Sequence, residues 1–260
     1  MKGTLVLDKI LKLLESDEWP AAIDPSLIAN ENNDDDCFER ADYILKDVFK
    51  VNLRGKKVLD FGCGAGHVVV ACLKRDIEAF GFDIEFQKNK LWQDYSYNLT
   101  KNWAQILSNG PYDVVLMHDV FDHSESPLND LYRIRTVLKP GGAGYLRFHP
   151  ICSRHGGHLY KRFNKAFAHM VLNDAELKEL GINLPVQRIL YPIKAYEAHI
   201  ARAGLKKVSY QSSVVPVEPF FEKNPITFER LNAFYGAHKN NIIPGFQMMQ
   251  TYVDYLVTRE

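Results

Sequence analysis

No stretch of this chain approaches the ~20 consecutive apolar residues that a bilayer-spanning helix needs. The opening segment, MKGTLVLDKILKLLESDEW, breaks its apolar residues with charges at helical spacing, which argues against a secretory leader. An excess of one charge sign is missing too. The 32 basic and 32 acidic residues cancel, so no global field recruits nucleic acid or an anionic membrane. The local cluster Lys161, Arg162 and Lys165 is too small to change that. Cysteine is scarce: Cys37, Cys63, Cys72 and Cys152 are scattered, with no C-x-x-C pair and no framework spacing. Such usage suits a reducing cytoplasm. No internal repeat is visible. What remains is the expectation of a soluble, cytoplasmic protein with neither membrane nor nucleic acid as partner. Its 260 residues, 46% hydrophobic, suffice for one large core or for a core with an inserted lid.

What is present is concentrated between Val58 and Gly66, VLDFGCGAG. Val58, Leu59 and Phe61 read as a buried strand carrying one acid, Asp60. Gly62, Gly64 and Gly66 then alternate with the small residues Cys63 and Ala65. A strand that ends in glycines lets the backbone approach a ligand, and the helix that follows offers it unpaired N–H groups. A second apolar strand, Ala79 to Phe82, ends in Asp83. An acid at that point of a βαβ unit is placed to accept both hydroxyls of a ribose. The pair of features predicts a nucleoside cofactor.

The glycine spacing narrows the choice. Dinucleotide enzymes use G-x-G-x-x-G to make room for a pyrophosphate. Here the spacing is G-x-G-x-G, and the turn holds no Lys or Arg to meet a phosphate. The segment resembles motif I of the class I S-adenosylmethionine-dependent methyltransferases. A second block, HDVFDHSESPLNDLYRIRTVLKPGG over residues 118–142, resembles the type 11 group of that family. That group includes the ubiquinone and menaquinone C-methyltransferases and many small-molecule O-methyltransferases. The Asp122-His123 pair stands where the group has Glu-His, and Leu138 to Gly142 match without change. The resemblance covers about residues 55–150 closely and 195–258 loosely.

The resemblance implies S-adenosyl-L-methionine as cofactor and assigns roles by position. The backbone of Gly62, Cys63 and Gly64, with Gly66 behind them, would lie against its methionyl and ribose part, and Asp60 would bind its ammonium directly or through water. Asp83 would hold the ribose diol, and Ile84 would pack on the adenine. Asn102 stands where the family often has an acid for the adenine amino group, with Trp103 able to cover the ring. His118 and Asp119 would sit beside the sulfonium, where a carboxylate favours the positive charge. Plainer roles stay open: Asp60 as a cap of the turn, Asn102 as a turn residue, His123 as a cap or orienting group for the next helix.

The rest of the chain fits an α/β fold. Strands near 57–61, 79–83, 97–101, 113–117 and 144–148 alternate with helices near 67–75, from 86 and over 127–138, which calls for a parallel sheet with helices on both faces. The loose C-terminal resemblance adds strands near 207–212 and 250–258. The expectation is a Rossmann-like, seven-stranded, mostly parallel sheet with an antiparallel last strand and lid insertions. Residues 1–50 form an N-terminal helical cap, with helices near 4–16 and 38–50 around an acidic, Asn-rich loop, Asn30 to Asp36. Residues 51–150 form the cofactor core, 151–192 a substrate or lid insertion, and 193–260 complete the sheet around an irregular insertion at 213–246.

Methyl transfer from a sulfonium is an in-line displacement, in which a protein aligns the nucleophile and excludes water. A hydroxyl acceptor is helped by a base, usually neutral His. The segment FHPICSRHGGHLY follows the fifth strand, where a parallel sheet delivers residues to its ligand edge. His149 is the first candidate base and His158 the second, with His155 and Tyr160 nearby. His149, Cys152, His155 and His158 also have metal-competent chemistry, but Pro150, Gly156 and Gly157 break the helix their spacing would need, so no metal is expected. Phe163, Phe167, Phe220, Phe221, Phe228, Tyr235 and Phe246 divide between core and an apolar acceptor pocket. No N-P-P-[YFW] sequence follows strand four, which disfavours exocyclic amino groups of DNA bases. The expected function is methyl transfer to a small molecule, most simply to a hydroxyl oxygen. C- or N-methylation, a non-catalytic cofactor-binding partner subunit and, least of all, an NAD-dependent dehydrogenase are the alternatives. Homo-oligomerisation is left open.

Overall fold

The computed structural model describes residues 2–16, 19–25, 39, 42–85, 89–151, 153–182, 193–214, 225–238 and 250–260. The chain divides into two compact units: residues 30–148, 194–211 and 254–260 form one, and residues 1–29, 149–193 and 212–253 form the other.

The first unit holds the sheet. Its strands are β1 (Val58–Phe61), β2 (Ala79–Phe82), β3 (Leu99–Thr100), β4 (Tyr112–His118), β5 (Leu138–Phe148), β6 (Leu205–Val214) and β7 (Gln250–Arg259), in the order β3-β2-β1-β4-β5-β7-β6. β1 pairs in parallel with β2 and β4, β2 with β3, and β4 with β5. The sheet is Rossmann-like and mostly parallel, with an antiparallel end. β1 and β2 are buried along their whole length, as central parallel strands covered on both faces must be. Around them lie α2 (His67–Leu73), α3 (Lys90–Asp94), α4 (Trp103–Asn109), α5 (Pro127–Val137) and α8 (Ile193–Arg202). Val58, Val69, Ala79, Trp92, Leu99, Val114, Leu116 and Tyr145 belong to one apolar core, joined by Leu45 from a turn of π-helix at Tyr43–Val48 and by Phe49 just after it. Apolar burial of this kind contributes ~25 cal/mol per Å².

Several local expectations shift. β5 starts at Leu138, which pairs with Tyr112, and the chain then bulges so that Ala143 opposes Val114. The Lys139–Gly142 segment is that bulge, with Gly141 at φ 74. α4 has no counterpart in the sequence reading, which placed a strand near 97–101 and no helix between it and the strand near 113–117; the observed β3 is only the two residues Leu99–Thr100. Tyr43, within the helix expected near 38–50, is 59% exposed. Phe38, Phe86 and the acidic loop lie outside the described residues, as do the side chains of Ile44 and Val48.

The second unit has its own core. α1 (Lys2–Glu15) contributes Leu7, Ile10 and Leu14, which pack with Trp19, Phe167, Met170, Leu177 and Leu231. Trp19 donates its indole N–H to the Ala166 carbonyl at 2.9 Å, so the buried ring pays no unsatisfied donor. α6 (Ala168–Val171) and α7 (Asp174–Glu179) follow, α7 opened by a reciprocal capping box between Asn173 and Glu176. The expected irregular stretch at 213–246 instead contains a helix, α9 (Pro225–His238). Its Leu231 enters the core, and Arg230 pairs with Glu176. One of the prolines that suggested irregularity, Pro225, starts this helix rather than breaking it. Of the aromatic candidates, Phe167 is core and Phe163 packs against it, whereas Phe228 is exposed. Phe220, Phe221, Phe246 and the side chain of Tyr235 lie outside the described residues.

Candidate cofactor site

The glycine turn is stitched to the end of β2. The N–H groups of Gly62 and Cys63 donate to the Phe82 carbonyl at 2.7 and 3.1 Å. Gly62 lies at φ 84, and a Cβ there would stand 2.4 Å from a Val120 methyl. Gly64 lies at φ 49 with nothing within 4 Å of where its Cβ would be. Gly62 is therefore required by packing and by backbone, Gly64 by backbone alone, and the space over Gly64 is open. Gly66 is the N-cap of α2.

Asp83 closes the turn from the other side. Its Oδ2 accepts the Gly64 N–H at 2.8 Å, and its Oδ1 accepts the Glu85 N–H at 3.1 Å. A carboxylate has about four acceptor positions, so each oxygen keeps capacity for a further donor. Ile84, the next residue, is 74% exposed. From α3, the Trp92 indole N–H donates to the Gly64 carbonyl at 2.9 Å, and Asn89 donates to the Ala65 carbonyl at 3.2 Å. Sequence reasoning missed both residues, because their partners are carbonyls of a turn more than twenty positions away.

Asp60, the penultimate residue of β1, is buried at 5% exposure. Burial, and then the nearby Asp83 charge, push its carboxyl up to about 7. The Cys63 side chain points into the core, where burial, Asp60 and Asp83 together raise its thiol well above the ordinary range. It is no nucleophile, and only its backbone faces the turn's outer side.

Asn102 is the N-cap of α4, its Oδ1 accepting the Ala104 N–H at 3.0 Å. Trp103 meets Phe61 and Phe82 edge-on, with ring centroids 5.9 and 5.1 Å away. His118 ends β4, and its Nε2 lies 3.3 Å from Asp119 Oδ2. His123 is not the helix cap: the start of α5 is held by Ser124, which donates to Asp130 and accepts the Ser126 N–H.

The candidate bases lie in the second unit, together. His149 Nδ1 sits 2.9 Å from the Thr251 carbonyl oxygen. A carbonyl only accepts, so in the tautomer with its proton on Nδ1 the ring donates to Thr251 and Nε2 is the basic nitrogen. His155 Nε2 lies 2.8 Å from the same Nδ1, and the His158 ring is centred 5.2 Å from that of His149. Cys152 lies outside the described residues.

Residues 30–210 match a family model described as a methyltransferase domain. Over 101 residues the chain is 31% identical to a ubiquinone biosynthesis O-methyltransferase of Acinetobacter baumannii (strain AYE), covering 35% of this chain and 42% of that protein. The protein of the same description from Roseobacter denitrificans is 28% identical over 99 residues, covering 34% of this chain and 39% of its own length. The matched region thus spans less than half of these curated relatives. Among solved structures, phosphoethanolamine N-methyltransferase 2 of Haemonchus contortus, in complex with S-adenosyl-L-methionine, has a TM-score of 0.50 at 14% identity. The alignment covers 85% of this chain and 52% of that one, a likeness of fold.

Proposed function

The chain belongs to the methyltransferase-domain family, class I and S-adenosylmethionine-dependent, and on that premise we propose that it methylates a small molecule at a hydroxyl oxygen. The observation that carries this reading is the cradle formed by Gly64 and Asp83: open space above a left-handed glycine, rimmed by a carboxylate with acceptor capacity on both oxygens. That cradle fits a ribose diol. The residues that would hold the cofactor are the backbone of Gly62, Cys63, Gly64 and Gly66, with Asp60 for the ammonium and Asp83 for the ribose. Ile84 and Trp103 offer apolar surface for the adenine, and Asn102 keeps its amide N–H₂ while its oxygen caps α4. When bound, the cofactor supplies an electrophilic methyl group on a positively charged sulfur.

The protein's own part is to bind, orient and accept a proton. Asp119 contributes negative charge at the end of β4. His149, held by Thr251 as the Nδ1–H tautomer, presents Nε2 to take the acceptor's hydroxyl proton, and His158 is the second candidate. Oxygen as the nucleophile draws support from the description of the curated relatives as O-methyltransferases. No helix among the described residues is long and apolar enough to cross a membrane, and the free thiols of Cys63 and Cys72 fit the reducing cytoplasm we assign. The test is incubation with methyl-labelled cofactor and a panel of phenols, catechols and hydroxy acids. Label transferred to an oxygen, with product identified by mass, supports the reading; label on carbon or nitrogen, or none despite cofactor binding, refutes it.

A further inference from the structure

We propose that the amino edge of the sheet holds a second small-molecule site, a cavity that takes a phosphate monoester of a hydroxylated compound such as a sugar phosphate. The site is independent of the cofactor reading above.

The cavity has a volume of about 450 Å³ and lies wholly within the sheet-bearing unit. Asn52, Leu53 and Arg54 come from the segment that leads into β1, and Arg75 and Ile77 from the turn between α2 and β2. Lys46 comes from the π-helical turn and Asp42 from the residue before it. β1 and β2 run in parallel, so the first two segments lie at the amino ends of both strands. Gly62 and Asp83 follow the carboxyl ends. The four residues of β1 put roughly 13 Å between this cavity and the glycine turn.

The walls are held by backbone. The Arg75 and Ile77 N–H groups both donate to the Cys72 carbonyl, at 2.9 and 3.0 Å. The Lys56 N–H donates to the Leu53 carbonyl at 3.1 Å, and the Val51 N–H to the Leu45 carbonyl at 2.7 Å. Leu53 and Ile77, both buried, supply the apolar part of the lining. Two residues beside it are left-handed without being glycine, Lys50 at φ 59 and Asp76 at φ 56. Backbone in such sparsely populated regions gathers where a chain clamps a ligand, and departures from α-helix towards π-helix gather there too.

The charge of the lining selects the occupant. Lys46, Arg54 and Arg75 oppose the single acid Asp42, three positive charges against one negative, a net of +2. Among the described residues the Lys46 ammonium and the Arg54 guanidinium make no ion pair or hydrogen bond, whereas Lys57 nearby is matched by Glu78 at 2.9 Å. Like charges around a concave, partly apolar surface repel one another, and the field they focus there is relieved by an anion. A phosphate monoester, with a charge of about −1.5 to −2 near neutral pH, matches the excess. Arg grips phosphate through its planar fork and Lys as a point charge. Asn52 accepts the Arg54 N–H on Oδ1 at 3.0 Å, which leaves its amide N–H₂ as a neutral donor. The volume exceeds what a bare phosphate fills, and Asp42 supplies the acceptor for a hydroxyl on the rest of the ester.

The test is isothermal calorimetry with glucose 6-phosphate and glycerol 3-phosphate, run beside glucose and inorganic phosphate. At least one ester binds with unit stoichiometry, about tenfold or more tighter than either glucose or inorganic phosphate. The double variant Lys46→Gln with Arg54→Gln changes two exposed side chains. It melts like wild type without ligand and loses about tenfold or more in affinity for the ester. Asp83→Ala leaves the Kd for the ester unchanged, and that result stands whether or not the cofactor reading holds. The proposal is overturned if neither ester binds, if the double variant binds as tightly as wild type, or if inorganic phosphate binds as tightly as the esters. A Kd that weakens in Asp83→Ala assigns the binding to the cofactor cleft and overturns it too. So does capture of duplex DNA or of anionic phospholipid vesicles in place of the esters, abolished in the double variant.

Discussion

The Asp83 carboxylate accepts the Gly64 N–H at 2.8 Å, joining the end of β2 to the middle of the glycine turn. The contact fixes a left-handed backbone and an acceptor-rich edge relative to each other before any ligand arrives. Its partner oxygen, tied to Glu85, holds the carboxylate plane. Cofactor affinity therefore depends on Asp83 twice, as acceptor and as the brace of the turn.

Replacing Asp83 with Ala removes both functions. Loss of two charge-assisted hydrogen bonds, each worth about 1.5–3 kcal/mol, weakens S-adenosylmethionine binding by roughly two orders of magnitude or more. Asp83→Asn, which keeps one acceptor oxygen, falls between Ala and wild type. Isothermal calorimetry reads both, and an unchanged Kd in Asp83→Ala refutes the ribose assignment.

The two motif glycines separate stability from binding. Gly62→Ala drives a methyl group into Val120 and lowers the melting temperature strongly. Gly64→Ala meets no neighbour and costs only about 1–2 kcal/mol of backbone strain, yet it fills the open cradle. Thermal melts with and without cofactor check this: Gly64→Ala folds but loses ligand stabilisation.

Asp60 makes the site pH-dependent. Its carboxyl titrates near 7 when folded against 3.8 when unfolded. The folded state thus holds the extra proton between those values, and the group's contribution to stability is full below 3.8 and lost as pH rises through about 7. Ligand binding has the opposite sign, because an ammonium selects the ionised carboxylate. Affinity falls roughly tenfold per pH unit below about 7, and binding there releases a proton. Calorimetry in buffers of different ionisation enthalpy measures that proton, and Asp60→Asn abolishes it.

His149→Ala leaves cofactor Kd within about twofold of wild type while lowering kcat by two to four orders of magnitude, the usual worth of a general base. Thr251 meets His149 through its backbone carbonyl, so substitutions of its side chain leave that contact in place. A kcat unaffected by His149→Ala removes that residue from the chemistry and leaves His158 as the candidate.

The parts legible in the sequence were those written locally. β1, the glycine turn, α2 and β2 with Asp83 lie within one short segment whose glycines and apolar runs each have a direct backbone meaning. The parts that were not legible depend on distant partners. Arg147 and Asp254 are 107 positions apart, and a charged residue inside an apolar strand gives no hint of where its counter-charge lies. Trp92 reads as an ordinary core aromatic until its N–H is seen on the Gly64 carbonyl. α4 is too short for its periodicity to register, and Asn102, read as ligand or turn, proves to be its cap. α9 was hidden by the surrounding prolines, one of which occupies its first position.

The most direct test of the whole account is a crystal soaked with S-adenosylmethionine. The account predicts density along the carboxyl ends of β1 and β2, with the ribose hydroxyls on Asp83 and the methionyl part over Gly62–Gly64. Density at another place, or a cleft that stays empty at saturating ligand while the protein remains folded, contradicts it.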